Sequence, residues 1–103
     1  MLIVTGGYKD GQYLSSTEVF DYSQGSPATW REVGTLPSPR RGLRGARVAG
    51  VYYVSGGAYY DGSNQYYGDI LAWSPDTESW SPAGTMETPR YYYAVTEVTL
   101  AQL

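Results

Sequence analysis

The chain has 103 residues, 42% of them hydrophobic and 17% charged, with 12 tyrosines and a net charge of −3. This is a globular, β-rich profile, neither disordered nor fibrous, and its acidic balance argues against bulk attraction to nucleic acid or to an anionic membrane. Cysteine and histidine are both missing, which excludes disulfides, Cys/His zinc sites, a cysteine nucleophile and a histidine general base within these residues.

The residues after Met1 enter a strand at once, with no charged leader and no long apolar core, and no apolar run approaches the ~20 residues of a membrane span. A signal peptide and a membrane helix are therefore not expected. A cysteine-free chain tolerates either redox environment, so the compartment stays open, with the cytoplasm favoured.

In chain order, Leu2–Thr5 is an apolar run without polar alternation, which predicts a strand buried on both faces. Gly6-Gly7 stops it, as a pair suited to positive φ or to close backbone approach. Residues 8–11 read as a turn, Asp10-Gly11 above all. Residues 15–22 alternate as a half-buried strand, 23–28 as a polar loop, and 29–33 as a short outer strand. Residues 34–39 cross the surface, with Pro37 and Pro39 blocking a helix.

Arg44–Val48 and Val51–Ser55 predict a hairpin turning at Ala49-Gly50. After Gly56-Gly57 comes a longer, tyrosine-rich loop over 59–68. Residues 69–73 form a further strand, 75–77 a tight turn, and 78–81 the start of another outer strand. Residues 92–100 read as one more strand. No segment has helical periodicity.

A repeat runs through these elements. Fifty residues separate Gly6 from Gly56, Trp30 from Trp80, Gly34-Thr35 from Gly84-Thr85, and Pro39-Arg40 from Pro89-Arg90. The loop after the glycine pair is longer in the second half and the turn before the tryptophan is longer in the first, so the interval is restored. This leaves the third-strand register open: either Phe20 or Tyr22 is the counterpart of Trp73.

The two glycine pairs, Glu18 two places before an aromatic, Trp30 and Trp80, and Pro39-Arg40 and Pro89-Arg90 together resemble the kelch family, whose period is ~50 residues. The run from Pro39 to Gly45 leading into Tyr53-Val54-Ser55-Gly56-Gly57 is an especially close match. The resemblance covers nearly all of residues 2–98.

It implies an all-β fold: two antiparallel four-stranded kelch blades of an incomplete β-propeller, a fold that typically needs ~4–8 blades. Residues 2–39 would be a first repeat lacking its inner strand, 40–89 a second repeat, and 90–103 the inner strand of a following blade plus a tail. A blade buries both sheet faces against its neighbours, and two blades leave two faces bare. Each large apolar side chain left wet forgoes roughly 1.5–3 kcal/mol. The expectation is a piece of a longer propeller, completed by further blades in cis or by a homo-oligomer, three copies giving six blades.

The structural residues expected on this resemblance are Gly6, Gly7, Gly56, Gly57, Trp30 and Trp80, with Arg40 and Arg90 tying each crossover to its neighbours. Arg40, Arg41, Arg44 and Arg47 hold four of the seven basic residues. Alternation sends Arg41 and Arg47 to the side opposite Arg40 and Arg44, so the four need not converge on one anion site.

Tyr59, Tyr60, Tyr66 and Tyr67 in the long loop, and Tyr91 and Tyr92 in the crossing after Arg90, fall in loop classes that open on one face in kelch propellers. Tyrosine suits recognition, offering large area and a hydroxyl for little entropy. With Arg41 and Arg44 they are the candidate partner-binding residues.

No catalytic residue, metal site or cofactor is expected. Asp10, Asp61, Asp69 and Glu18 sit where turns and strands have ready uses for them, and no phosphate cradle or nucleophile elbow is visible. The expected function is a protein–protein interaction module rather than an enzyme, with no nucleic-acid or membrane partner. The alternatives are a fragment of a kelch-type enzyme, such as a copper oxidase or a sialic-acid mutarotase, or a carbohydrate-binding propeller. The copper oxidase needs histidine ligands and a cysteine cross-linked to tyrosine, which these residues lack.

Overall fold

The computed structural model describes residues 1–22 and 29–96. Among these the protein is all-β, without an α-helix; no helix is long and apolar enough to cross a membrane. Two larger antiparallel sheets and two small hairpins make up the fold, and no sheet closes on itself.

The first sheet has three strands in the order β1 (Leu2–Thr5), β4 (Ser16–Phe20), β5 (Trp30–Thr35). The second has four, in the order β11 (Ser79–Thr85), β10 (Asp69–Ser74), β7 (Val51–Ser55), β6 (Arg44–Val48). The hairpins β2–β3 (Tyr8–Lys9, Gln12–Tyr13) and β8–β9 (Ala58–Tyr60, Asn64–Tyr66) follow the two glycine pairs.

The hairpin turns have a local cause. Asp10-Gly11 and Ala49-Gly50 both take positive φ, 50° and 80° for the first pair, 50° and 81° for the second. Two successive positive-φ residues match the right-handed twist of the strands they join. The expected turn at 8–11 is therefore the tip of hairpin β2–β3, and the expected loop over 59–68 contains hairpin β8–β9. Strands of two or three residues are too short for alternation to reveal.

The register left open by the sequence is settled by pairing. Phe20 lies opposite Leu2 and Trp30, as Trp73 lies opposite Tyr52 and Trp80. Phe20, not Tyr22, is the counterpart of Trp73. The same irregularity recurs in both sheets: pairing shifts between Thr17 and Glu18 in β4, and between Ile70 and Leu71 in β10.

The loop bonds repeat as well. Gly7 N donates to Arg40 O and Gly57 N to Arg90 O; Leu14 N donates to Gly7 O and Tyr67 N to Gly57 O; Leu36 N donates to Ser15 O and Met86 N to Gly68 O.

The core lies between the sheets. Val19 and Val33 of the first meet Trp73 of the second, which is only 1% exposed, and Ile3, Tyr52 and Trp80 pack around them. Trp80 Nε1 donates to Thr17 Oγ1 at 2.8 Å. At the outer strands, Arg31 of β5 reaches Glu78 in the turn before β11, at 2.7 Å.

The expectation that β1 is buried on both faces is corrected. Ile3 and Thr5 turn toward the second sheet, while Leu2 and Val4 are exposed together with Trp30, because no described residue packs on that side. Residues 93–96 are not a strand; the rest of the strand expected over 92–100, and the loop expected over 23–28, lie outside the described residues.

The molecule is a slab, 44 × 43 × 21 Å, with a radius of gyration of 14.5 Å. A closed domain of this length would have about 13 Å, so two sheets with one shared core leave the chain less compact than a self-contained domain.

Candidate functional site

The four clustered arginines diverge, each to its own surroundings. Arg40 is 2% exposed. Its guanidinium donates to Asp69 Oδ1 at 2.5 Å, Asp69 Oδ2 at 3.3 Å, Ser38 Oγ at 2.8 Å and the Gly56 carbonyl at 3.3 Å, and lies 3.9 Å from the centre of the Tyr67 ring. Its backbone meanwhile bonds Gly7 and Leu14. A charge removed from water needs this degree of pairing. The residue thus ties the loops of the first sheet to the second.

Arg41 lies over Tyr8 and Tyr13, at 5.1 and 5.6 Å from the ring centres. Tyr8 and Tyr13 meet edge-on at 5.0 Å, and Tyr13 meets Tyr59 at 4.9 Å. Arg44 Nε donates to the Tyr93 carbonyl at 2.5 Å, and its head lies 5.7 Å from Tyr92. Tyr92 contacts Tyr91, and Tyr91 stacks on Tyr66 at 5.5 Å with 25° between planes. Arg47 lies over Tyr52.

Hairpin β8–β9 connects these two aromatic groups, with Tyr59 on β8 touching one and Tyr66 on β9 touching the other. Arg41 pairs with Ala58, which docks the hairpin on the crossing segment. Of the candidate tyrosines, Tyr59 belongs to the group beside Arg41, and Tyr66, Tyr91 and Tyr92 to the group beside Arg44. Tyr60 lines the cavity beside Tyr59. The Tyr67 ring serves Arg40.

Tyr60, Tyr66, Tyr91 and Tyr92 are exposed. A cavity of about 330 Å³ opens between the two hairpins, lined by Gly11, Gln12, Tyr13, Pro39, Tyr59 and Tyr60. Tyr8 and Tyr13 are the residues that sequence reasoning missed. Tyr13 precedes Leu14 as Tyr66 precedes Tyr67, and Tyr8 directly follows its glycine pair as Ala58 does; the first of these matches was the signal that could have found Tyr13.

Among the described residues the ion pairs are Arg31–Glu78 and Arg40–Asp69, so Arg41 and Arg44 carry their charge toward this surface without a carboxylate. Asp61 accepts from Gln65 within its own turn. Among the described residues no group of three or more Asp or Glu stands together.

Of the expected structural residues, Gly6 and Gly56 occupy crowded positive-φ positions: a Cβ on Gly6 would lie 2.9 Å from Arg40 O, and one on Gly56 would collide with Arg90 O and the Tyr93 ring. Trp80 packs between the sheets. Trp30, 48% exposed, lies on the open face of the first sheet beside Phe20. Arg90 is exposed, and among the described residues it donates to the Thr88 carbonyl alone.

No family model matches the chain, and no curated protein matches it. The fold is similar to the solved structure of YjhT, with 20% identity and a TM-score of 0.66 over 84% of this chain. At that identity the likeness is one of fold alone. The chain spans 28% of the YjhT chain.

Proposed function

We propose that the chain is a kelch-type protein–protein interaction module. Its two sheets are blades of an incomplete propeller, and it binds a partner protein through tyrosines and arginines on one loop face. The repeat reading is supported by loop bonds that recur at matching positions in both halves, by the shared irregularity in β4 and β10, and by one sheet packing face to face on the next. The bare apolar face of Leu2, Val4 and Trp30 is covered in this reading by a further blade.

The observation that carries the recognition role is the pair of tyrosine groups that hairpin β8–β9 links, Tyr8–Tyr13–Tyr59 beside Arg41 and Tyr66–Tyr91–Tyr92 beside Arg44. Exposed tyrosines on short hairpins offer rigid contact area. The arginines bring positive charge that this acidic chain does not neutralise there, which favours a partner segment with carboxylates. The fold by itself is neutral on function.

The test is Tyr60→Ala with Tyr66→Ala. Capture of a protein partner is expected to weaken while the melting temperature holds. A large stability loss would mean that these rings only brace the hairpin, and glycan binding at the cavity between the hairpins would replace the protein partner with a carbohydrate.

A further inference from the structure

The junction between the two sheets is a template for what the open face of the second sheet accepts. Arg40 leads from the first repeat into a pocket that the second completes, with Asp69 at the start of β10, the Gly56 carbonyl and the Tyr67 ring. Arg90 stands fifty residues later at the same point of the fold. It is exposed and lines an open cavity of about 370 Å³ together with Ser55, Ile70, Tyr93 and Val95.

A second copy of this chain fits that face poorly. Ser16 pairs with Thr35 as Asp69 pairs with Thr85, so a copy would offer Arg90 a serine where Arg40 has its carboxylate. Leu14, the counterpart of Tyr67 by its bond to the glycine pair, would replace the ring. Trp30 would point its N–H at Ile70, where Trp80 finds the Thr17 hydroxyl. Ala72 would take the position of Val19, which helps to fill the core. The carboxylates of a copy on that face, Glu18 and its cross-strand partner Glu32, stand at the registers of Leu71, which is 3% exposed at the existing junction, and Pro82.

We infer that the open face of the second sheet docks a repeat of different sequence, one that brings a carboxylate at the register of Asp69 and an aromatic ring at the register of Tyr67, and not a second copy of this chain. This rests on the repeat reading but not on the recognition role of Tyr60 and Tyr66, neither of which lines that cavity. A buried arginine–carboxylate pair is selective because a wrong partner leaves the charge unpaired.

Sedimentation velocity on the full chain tests it. The parent is expected to form no discrete ring. Leu14→Tyr with Ser16→Asp, which installs the missing partners in a copy, should tighten self-association by about tenfold or more, and Arg90→Ala added to that pair should abolish the gain. Ser16→Asp alone, on a half-buried strand-end residue, serves if the double variant loses its melting transition. A discrete oligomer of the parent that is lost on Arg90→Ala or Glu18→Gln would overturn the inference, as would folded variants that gain no association. Loss of partner capture by the loop-tyrosine variants leaves this result untouched.

Discussion

The two sheets carry corresponding strands in the same order and pair them in the same register, yet their aromatic residues have opposite fates. Trp73 is sealed between the sheets and Trp80 bonds Thr17, whereas their counterparts Phe20 and Trp30 lie on a face that no described residue covers. Backbone geometry in this chain is set locally, by strand propensity, glycine pairs and turns. Burial is set by whether a neighbouring sheet is present. The outer face of the first sheet, with Leu2, Val4 and Trp30 exposed, has no such neighbour among the described residues.

The largest effects should fall at the shared core. Trp73→Ala is expected to cost about 3–5 kcal/mol, a large fraction of a total of roughly 5–15 kcal/mol, whereas Trp30→Ala should cost less than about 1 kcal/mol. Denaturant melts followed by circular dichroism measure both. Equal costs would break the comparison, since they would show the outer face already covered in solution.

The arginines sharpen it next. Asp69→Ala strands the buried Arg40 charge and should cost about 3 kcal/mol, whereas Arg90→Ala, removing an exposed side chain, should change stability by within about 0.5 kcal/mol.

Much of this architecture was legible in the sequence, because fifty-residue spacing survives any loop-length trade. The glycine pairs, the Ala49-Gly50 turn and the fifty-residue spacing of corresponding positions in the two sheets could all be read from residue types alone. The partner of Arg40 could not. Asp69 lies 29 residues away in sequence, and the first repeat has Ser16 at that register, so no repetition flags it. Trp73 was equally hidden: alternation places it on a face but does not say which face meets the other sheet, and the recurring tryptophans drew attention to Trp30 and Trp80 instead. Residue type marks the candidate tyrosines singly, but only the short hairpins bring Tyr13 to Tyr59 and Tyr66 to Tyr91, and strands of that length carry no periodicity. Glu18 and Leu71, equivalent by register but opposite in chemistry, mark where the two sheets differ.

The two turns offer a gain rather than a loss. Asp10 and Ala49 hold the same backbone conformation, at φ 50° in both cases. Aspartate tolerates it, while alanine meets its own Cβ there. Ala49→Asn should stabilise hairpin β6–β7 by about 0.5–1 kcal/mol, read as a rise in melting temperature; Asp10→Asn should be close to neutral. If both substitutions acted alike, strain at Ala49 would not be the cause.

The smallest effect belongs to the exposed pair at the outer seam. The hydrogen bond from Arg31 lowers the Glu78 carboxyl below its ordinary value of 4.5, against a weaker opposing effect of desolvation. The Arg31 guanidinium is raised in turn, chiefly by the same bond, and stays charged throughout. A carboxyl lowered in the folded state contributes its full stabilisation above its unfolded value and loses it as the pH falls through the folded one. Cooling the comparison to this single pair, the parent should lose slightly more melting temperature than Glu78→Gln between about pH 6 and about pH 3. Salt should shrink that difference, because both groups are exposed and their attraction is screened within about 10 Å at 0.1 M. A difference that persisted in high salt would place the pair in a drier seam than its exposure indicates, and would make the contact of β5 with the turn before β11 a second anchor between the sheets rather than a surface decoration.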